Sequence, residues 1–152
     1  DVIGAEVGGA LKNVVAIAAG AIDGLGFGLN ARAALITRGL AEMSRLAVAK
    51  GGQAITLAGL AGMGDLIATC SSTLSRNHFV GQQLAKGKNL RGITGAMKNV
   101  SEGIDTTAAA VSLAEKLDVE MPIAGAINDV LFNDVALDQA ISNLMGRSPG
   151  PE

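Results

Sequence analysis

The sequence predicts an all-α fold, a multi-helix domain of about seven or eight helices over residues 1–146 with a flexible tail at 147–152. Two observations carry this. Nearly every periodic segment repeats its apolar residues at helical spacing, and no paired alternating runs or fixed-period repeats are present. Large side chains are also scarce, with three Phe, no Trp and no Tyr against 21 glycines in 152 residues. A core with so few bulky groups forms where helices approach closely over Gly and Ala, and such a domain leans on a neighbour.

The first helix is expected over Ile3 to Ile22, ended by the turn signal "DGLGFG" at Asp23–Gly28. Asn30 can cap a second, "ARAALITRGLAEMSRLAVAKGG", whose Leu35, Ile36, Leu40, Met43, Leu46 and Ala47 share one side. Its last turn carries Lys50 and it stops at Gly51–Gly52. A short helix follows at Ala54 to Ala58, and then "GMGDLIATC" places Asp65 at the start of another. Ser75 to Lys86 is the next, closed by Gly87, and Asn89 to Ser101 reads as irregular. Asp105 or Thr106 opens a helix to Leu117, Pro122 sits in the first turn of one reaching about Phe132, and a last spans Ala136 to Met145.

Composition bounds the function classes. A net charge of −2 gives no global nucleic-acid or membrane-surface signature. The longest uncharged stretch is Gly51 to Gly64, shorter than the roughly 18–20 apolar residues a spanning helix needs, so no membrane span is expected. One cysteine, Cys70, and one histidine, His78, leave no disulfide framework, no cysteine- or histidine-built metal site and no Ser-His triad. A lone cysteine suits a reducing cytoplasm, the expected location. The chain opens on Asp1 without a methionine or a signal-peptide pattern, and is expected to be part of a longer protein.

Several residues could carry chemistry. Lys12 is the single charge between Val7 and Ile22, in "VGGALKNVVAIAAGAI". Either it lays its methylenes on apolar surface and snorkels to water, or it serves a pocket, where desolvation suits a lysine to proton transfer. Asp65 is either a solvated helix-start carboxylate or part of a site, and Thr69 shares its helical face. From Leu66 to Ser101 there is no acidic residue, yet Arg76, Lys86, Lys88, Arg91 and Lys98 all fall there. This is either a solvated basic face or an anion site. In the second case "SSTLSRN" supplies hydroxyls, a guanidinium and a carboxamide where a helix begins. Cys70 reads as a small buried hydrophobe and His78 as a surface helix residue.

Taken together, "GALKNVVAIAAGAIDGLGFGLNARAALITRGLAEM", "GLAGMGDLIATCSSTLSRN" and "VSEG" resemble the C-terminal domain of bacterial NAD(P)-dependent glycerol-3-phosphate dehydrogenases. The likeness covers nearly the whole chain, in order and with matching spacing. It implies a helical domain of the 6-phosphogluconate dehydrogenase C-terminal-domain-like fold. "DVIGAEVGGALKN" looks like the junction from a preceding Rossmann domain, which this chain does not contain.

By that resemblance Lys12 matches the catalytic acid/base, and Asp65 a carboxylate contacting substrate beside it. Ser75, Arg76 and Asn77 match the run that binds glycerol 3-phosphate, with Arg76 also near the cofactor. Val100 and Glu102 match positions touching the dinucleotide, and Asn13 and Thr69 fall in the same motifs as secondary pocket residues. The implied reaction is reversible reduction of dihydroxyacetone phosphate to sn-glycerol 3-phosphate, with NAD or NADP, feeding glycerophospholipid synthesis. Implied partners are the substrate and the protein's own Rossmann domain, and the resemblance leaves room for a homodimer. An alternative is a helical packing or dimerisation domain of another Rossmann-type dehydrogenase, of the hydroxyisobutyrate or ketopantoate type and inactive alone. Those types also use an early lysine but lack an "SRN" block after "GDL".

Overall fold

A computed structural model describes residues 1–147 and organises them around one central helix, α1 (Val2–Gly24). Asp1 sets its start. The carboxylate accepts from Gly4 N–H at 3.0 Å, and its other oxygen accepts from Gln53 N–H at 2.7 Å and the Thr56 hydroxyl at 2.8 Å. One side chain thereby caps α1 and ties its first turn to the loop before α3. From Val14 to Ala21 every residue of α1 is buried, because α2, α3, α4, α5, α7 and α8 all pack on it. By length and composition α1 also passes the test for a membrane span, which the uncharged-stretch criterion misses. More than half of its most apolar window is buried inside the domain, as in a core helix.

Around α1 lie α2 (Leu29–Ala49), α3 (Ala54–Leu57), α4 (Asp65–Ser71), α5 (Arg76–Ala85), α6 (Leu90–Gly95), α7 (Glu102–Lys116), α8 (Pro122–Phe132) and α9 (Leu137–Met145). The described residues contain no strand, so the all-α expectation holds. The expected count of seven or eight helices is exceeded, because α6 forms within the stretch read as irregular. Asn89 caps it, accepting from Gly92 N–H at 2.9 Å. Two other boundaries are corrected. Helix α2 starts at Leu29 with Gly28 as its cap, which puts Asn30 inside the first turn. Helix α7 starts at Glu102, ahead of Asp105, with Glu102 and Asp105 together complementing the helix N-terminus. A π-helical turn, Leu60–Gly64, leads directly into α4. The tail expected at 147–152 lies outside the described residues except for Arg147, whose guanidinium stands 3.4 Å from Glu120.

The core is aliphatic and made of small residues, as the composition requires. Ile17, Met43, Leu57, Leu66 and Ile93 are essentially sealed from solvent, each stabilising the fold by about 2 kcal/mol through lost water contact. Helices α1 and α5 come nearest to one another, and glycine makes this approach feasible. A Cβ on Gly81 would lie 1.9 Å from the Ile17 carbonyl oxygen, and one on Gly20 would lie 2.0 Å from that of His78.

One buried carboxyl group organises the far side of the domain. Met121 offers α8 no side-chain cap, and Glu42 of α2 takes that role from across the core. Its carboxylate accepts from Ile123 N–H at 2.6 Å and Ala124 N–H at 3.3 Å. Burial raises the Glu42 pKa from 4.5 to about 7, against the opposing pull of those two N–H groups. The folded protein therefore holds a proton that the unfolded chain releases between those values. This stability is present in full below about pH 4.5 and is lost as pH rises through about 7. Chemical denaturation at pH 5 and pH 8 is expected to show a loss of about 2–3 kcal/mol attributable to this group. Glu42→Gln, unable to ionise, flattens the dependence. An unchanged slope in that variant would remove Glu42 as its source.

Candidate functional site

Lys12 sits midway along α1 on the side that meets α4. Its ammonium lies 2.5 Å from Asp65 Oδ2, although 53 residues separate the two in sequence. The lysine side chain is 25% exposed, so three-quarters of it is covered and its tip goes to a carboxylate. The ammonium of this lone charge is therefore paired with a carboxylate and does not extend unpartnered into water. The π-helical turn delivers Asp65 to that position, with the small residues of "GLAGMG" allowing the backbone to press on α1. Thr69, one turn further along α4, directs its hydroxyl toward Asp65 Oδ1 at 3.5 Å, the outer limit of a hydrogen bond.

The second half of the site is the start of α5. Ser75 caps the helix, its hydroxyl oxygen accepting from His78 N–H at 3.3 Å. Arg76 is the first helical residue, exposed, and makes no ion pair among the described residues. A free guanidinium at a helix N-terminus is a favourable setting for a phosphate.

Asn77 faces inward and is only 8% exposed. Its Nδ2 donates to Asn13 Oδ1 at 3.1 Å, and its Oδ1 accepts from the Ser101 hydroxyl and from Gly103 N–H at 2.9 Å. One amide N–H is left for a ligand. Because Asn13 neighbours Lys12, this link connects the α5 start to the Lys12–Asp65 pair. Lys12, Asn13, Asp65, Thr69, Ser75, Arg76 and Asn77 are thus brought to one region by α1, α4 and α5.

Val100 and Glu102 flank Ser101 at the start of α7, both exposed. The Ser101–Asn77 bond ties that helix start to the start of α5. An exposed guanidinium, apolar side chain and carboxylate are groups of the kinds that could meet the phosphate, ring and hydroxyls of a dinucleotide.

Two readings of single residues resolve differently. Cys70 is fully buried, as expected of a small hydrophobe, and burial pushes its thiol up to about 12, leaving it neutral and unreactive. His78 is not a surface residue. It is 1% exposed, with Nε2 donating to Asp23 Oδ2 at 2.7 Å, and Arg32 meets the same carboxylate oxygen. The cause is the α1–α5 contact, since His78 lies one turn from Gly81 on the packed face of α5. That spacing to a glycine is the signal that marks it as inward. Ser101 and Gly103 were also missed by sequence reasoning, for they are legible only once α5 and α7 are seen to meet.

Comparison with known proteins fits this geometry into a lineage. The family model described as NAD-dependent glycerol-3-phosphate dehydrogenase C-terminus matches residues 1–142. The chain is 51% identical over its full length to glycerol-3-phosphate dehydrogenase (NAD(P)+) of Chlorobium phaeobacteroides, covering 46% of that protein. It is 57% identical over 97% of its length to the enzyme of the same name from Citrifermentans bemidjiense, covering 44%. The crystal structure of glycerol-3-phosphate dehydrogenase from Coxiella burnetii superimposes with a TM-score of 0.92 at 44% identity, over 97% of this chain and 45% of that one. The Saccharomyces cerevisiae glycerol-3-phosphate dehydrogenase does so at 0.85 and 28%, over 97% and 43%. The chain therefore spans less than half the length of the relatives it matches. With the family match running from Asp1 to residue 142, it belongs to the C-terminal domain family of NAD-dependent glycerol-3-phosphate dehydrogenase.

Proposed function

We propose that this chain is the substrate-binding and catalytic part of an NAD(P)-dependent enzyme that reversibly reduces dihydroxyacetone phosphate to sn-glycerol 3-phosphate, working with an N-terminal Rossmann domain. The observation that carries the reading is the Lys12–Asp65 pair at 2.5 Å, linked through Asn13 and Asn77 to the start of α5. The dinucleotide, when bound, supplies the hydride. What this chain supplies is a binding site for the substrate and a proton. Arg76 and the remaining N–H of Asn77 hold the phosphate, the largest handle on so small a molecule, and so fix the carbonyl near Lys12. As negative charge grows on the carbonyl oxygen, the Lys12 ammonium stabilises it and transfers a proton. In the oxidative direction neutral Lys12 removes the hydroxyl proton. Asp65 keeps the ammonium from swinging into water and accepts from a substrate hydroxyl. Val100, Glu102 and Arg76 contact the dinucleotide along the rim. A cytoplasmic location accords with a lone buried cysteine.

The test is oxidation of NADH or NADPH by the intact protein with dihydroxyacetone phosphate. Arg76→Ala is expected to raise KM for dihydroxyacetone phosphate roughly 10- to 100-fold, the range for losing a charge-assisted phosphate contact, with a smaller fall in kcat. A wild-type protein that ignores this substrate overturns the reading. A KM unchanged in Arg76→Ala moves the phosphate elsewhere.

A further inference from the structure

We infer that Ser101 is a positioning residue that holds the Asn77 amide in the one orientation able to accept an anionic substrate. The inference rests on the function proposed above and deepens it. A carboxamide can be turned over by rotation about its last bond, which exchanges its acceptor oxygen for its donor nitrogen at nearly equal shape. For a residue meant to bind phosphate the two orientations are not equivalent. A phosphate group offers only acceptor oxygens at neutral pH, so the NH2 group attracts it and the carbonyl oxygen repels it.

One neighbour breaks the degeneracy, a second reinforces it and a third follows from it. The Gly103 backbone N–H can only donate, and it points at Asn77 Oδ1 at 2.9 Å. The Ser101 hydroxyl donates to the same oxygen from a side chain that is completely buried, where no water competes. Asn77 Nδ2 then donates to Asn13 Oδ1 at 3.1 Å, which sets Asn13 with its own NH2 group turned away from Asn77. A polarity laid down at the start of α7 is thus passed through Asn77 to the residue beside Lys12.

The packing is built for this arrangement. A Cβ on Gly103 would lie 2.5 Å from Asn77 Oδ1 and 2.9 Å from the Asn13 carbonyl oxygen, so a side chain there would displace the amide. Ser101 is the N-cap residue of α7, yet its side chain makes no capping bond to that helix. Its hydroxyl is committed to Asn77 instead, and alanine at 101 removes one of the two donors that hold the amide without removing a cap.

The experiment is a double-mutant cycle in the intact enzyme, with Ser101→Ala, Asn77→Ala and the pair. Ser101→Ala alone is expected to raise KM for dihydroxyacetone phosphate about five- to tenfold, the scale of one neutral hydrogen bond, with kcat within about twofold. In the Asn77→Ala background the same change is expected to have no further effect. An equal effect in both backgrounds, or none in either, overturns the inference. A second readout needs no substrate: solvent exchange of the Asn77 side-chain amide protons, assigned by their loss in Asn77→Ala. Exchange is expected to be faster in Ser101→Ala than in wild type, and identical exchange overturns the lock. If wild type fails to use dihydroxyacetone phosphate, the proposed function falls, and the exchange measurement still decides whether Ser101 orients Asn77.

Discussion

Replacing Lys12 by methionine in the intact protein is expected to lower kcat about 1000-fold, near the middle of the range for losing a positioned general acid, with KM for dihydroxyacetone phosphate changing far less. Methionine is the appropriate probe because it is unbranched and similar in length, so the α1 surface stays filled. Beside the ammonium, Asp65 offers only a carboxylate and Thr69 a hydroxyl that points to it, so neither can take its place. Asp65 is left without its partner, but at 40% side-chain exposure water solvates it, and the fold is expected to melt within a few degrees of wild type. Steady-state kinetics with NADH or NADPH, beside a thermal melt, decides the matter. Activity that survives removes Lys12 as proton donor, and activity lost together with the fold makes its role structural.

The largest effect on stability is expected at Gly81. An added Cβ would stand 1.9 Å from the Ile17 carbonyl oxygen and 2.5 Å from the Ala21 nitrogen, both backbone atoms of the central helix. No rotamer change relieves contacts with backbone, so α5 has to move away from α1, opening gaps around Ile17 and Val80. Gly81→Ala is therefore expected to destabilise the protein by about 3 kcal/mol, at the upper end of overpacking costs, and to lower Tm by roughly 10 °C. The contrast is Gly125→Ala on α8, where an added Cβ meets nothing within 4 Å. There the helical preference of alanine is expected to add about 0.5–1 kcal/mol. Equal melting temperatures for the two variants would mean that α5 shifts without penalty.

Much of the helical scaffold was legible because its signals are local. Helices α1, α2, α5 and α8 announce themselves by apolar spacing, a capping Ser75, Pro122 in a first turn and the glycines after Ala49. Helix α6 was not, for it spans six residues with two glycines and lacks a face long enough to show a period. The start of α7 was misplaced because Gly103 reads as a break. In the structure it is the residue small enough to lie beside Asn77.

The site divides in the same way. Spacing and charge mark Lys12, Asp65 and the "SRN" run as candidates, and resemblance assigns them roles, but their meeting depends on how α4 and α5 seat on α1. The Ser101–Asn77, His78–Asp23 and Glu42–Ile123 contacts join residues 24, 55 and 81 positions apart in sequence. No window of sequence contains both partners.

Lys12 stands on the most enclosed helix of the domain, directly before the run from Val14 to Ala21 that never reaches solvent. A lysine on a loop could be presented and withdrawn by local motion. On α1 its backbone moves only if six surrounding helices move with it, and the Asp65 carboxylate holds its tip. The domain in effect provides a fixed anvil. Under the proposed function, whatever admits substrate, shuts out water and releases product has to be borne by parts that travel toward Lys12, while the helix that carries Lys12 stays where it is.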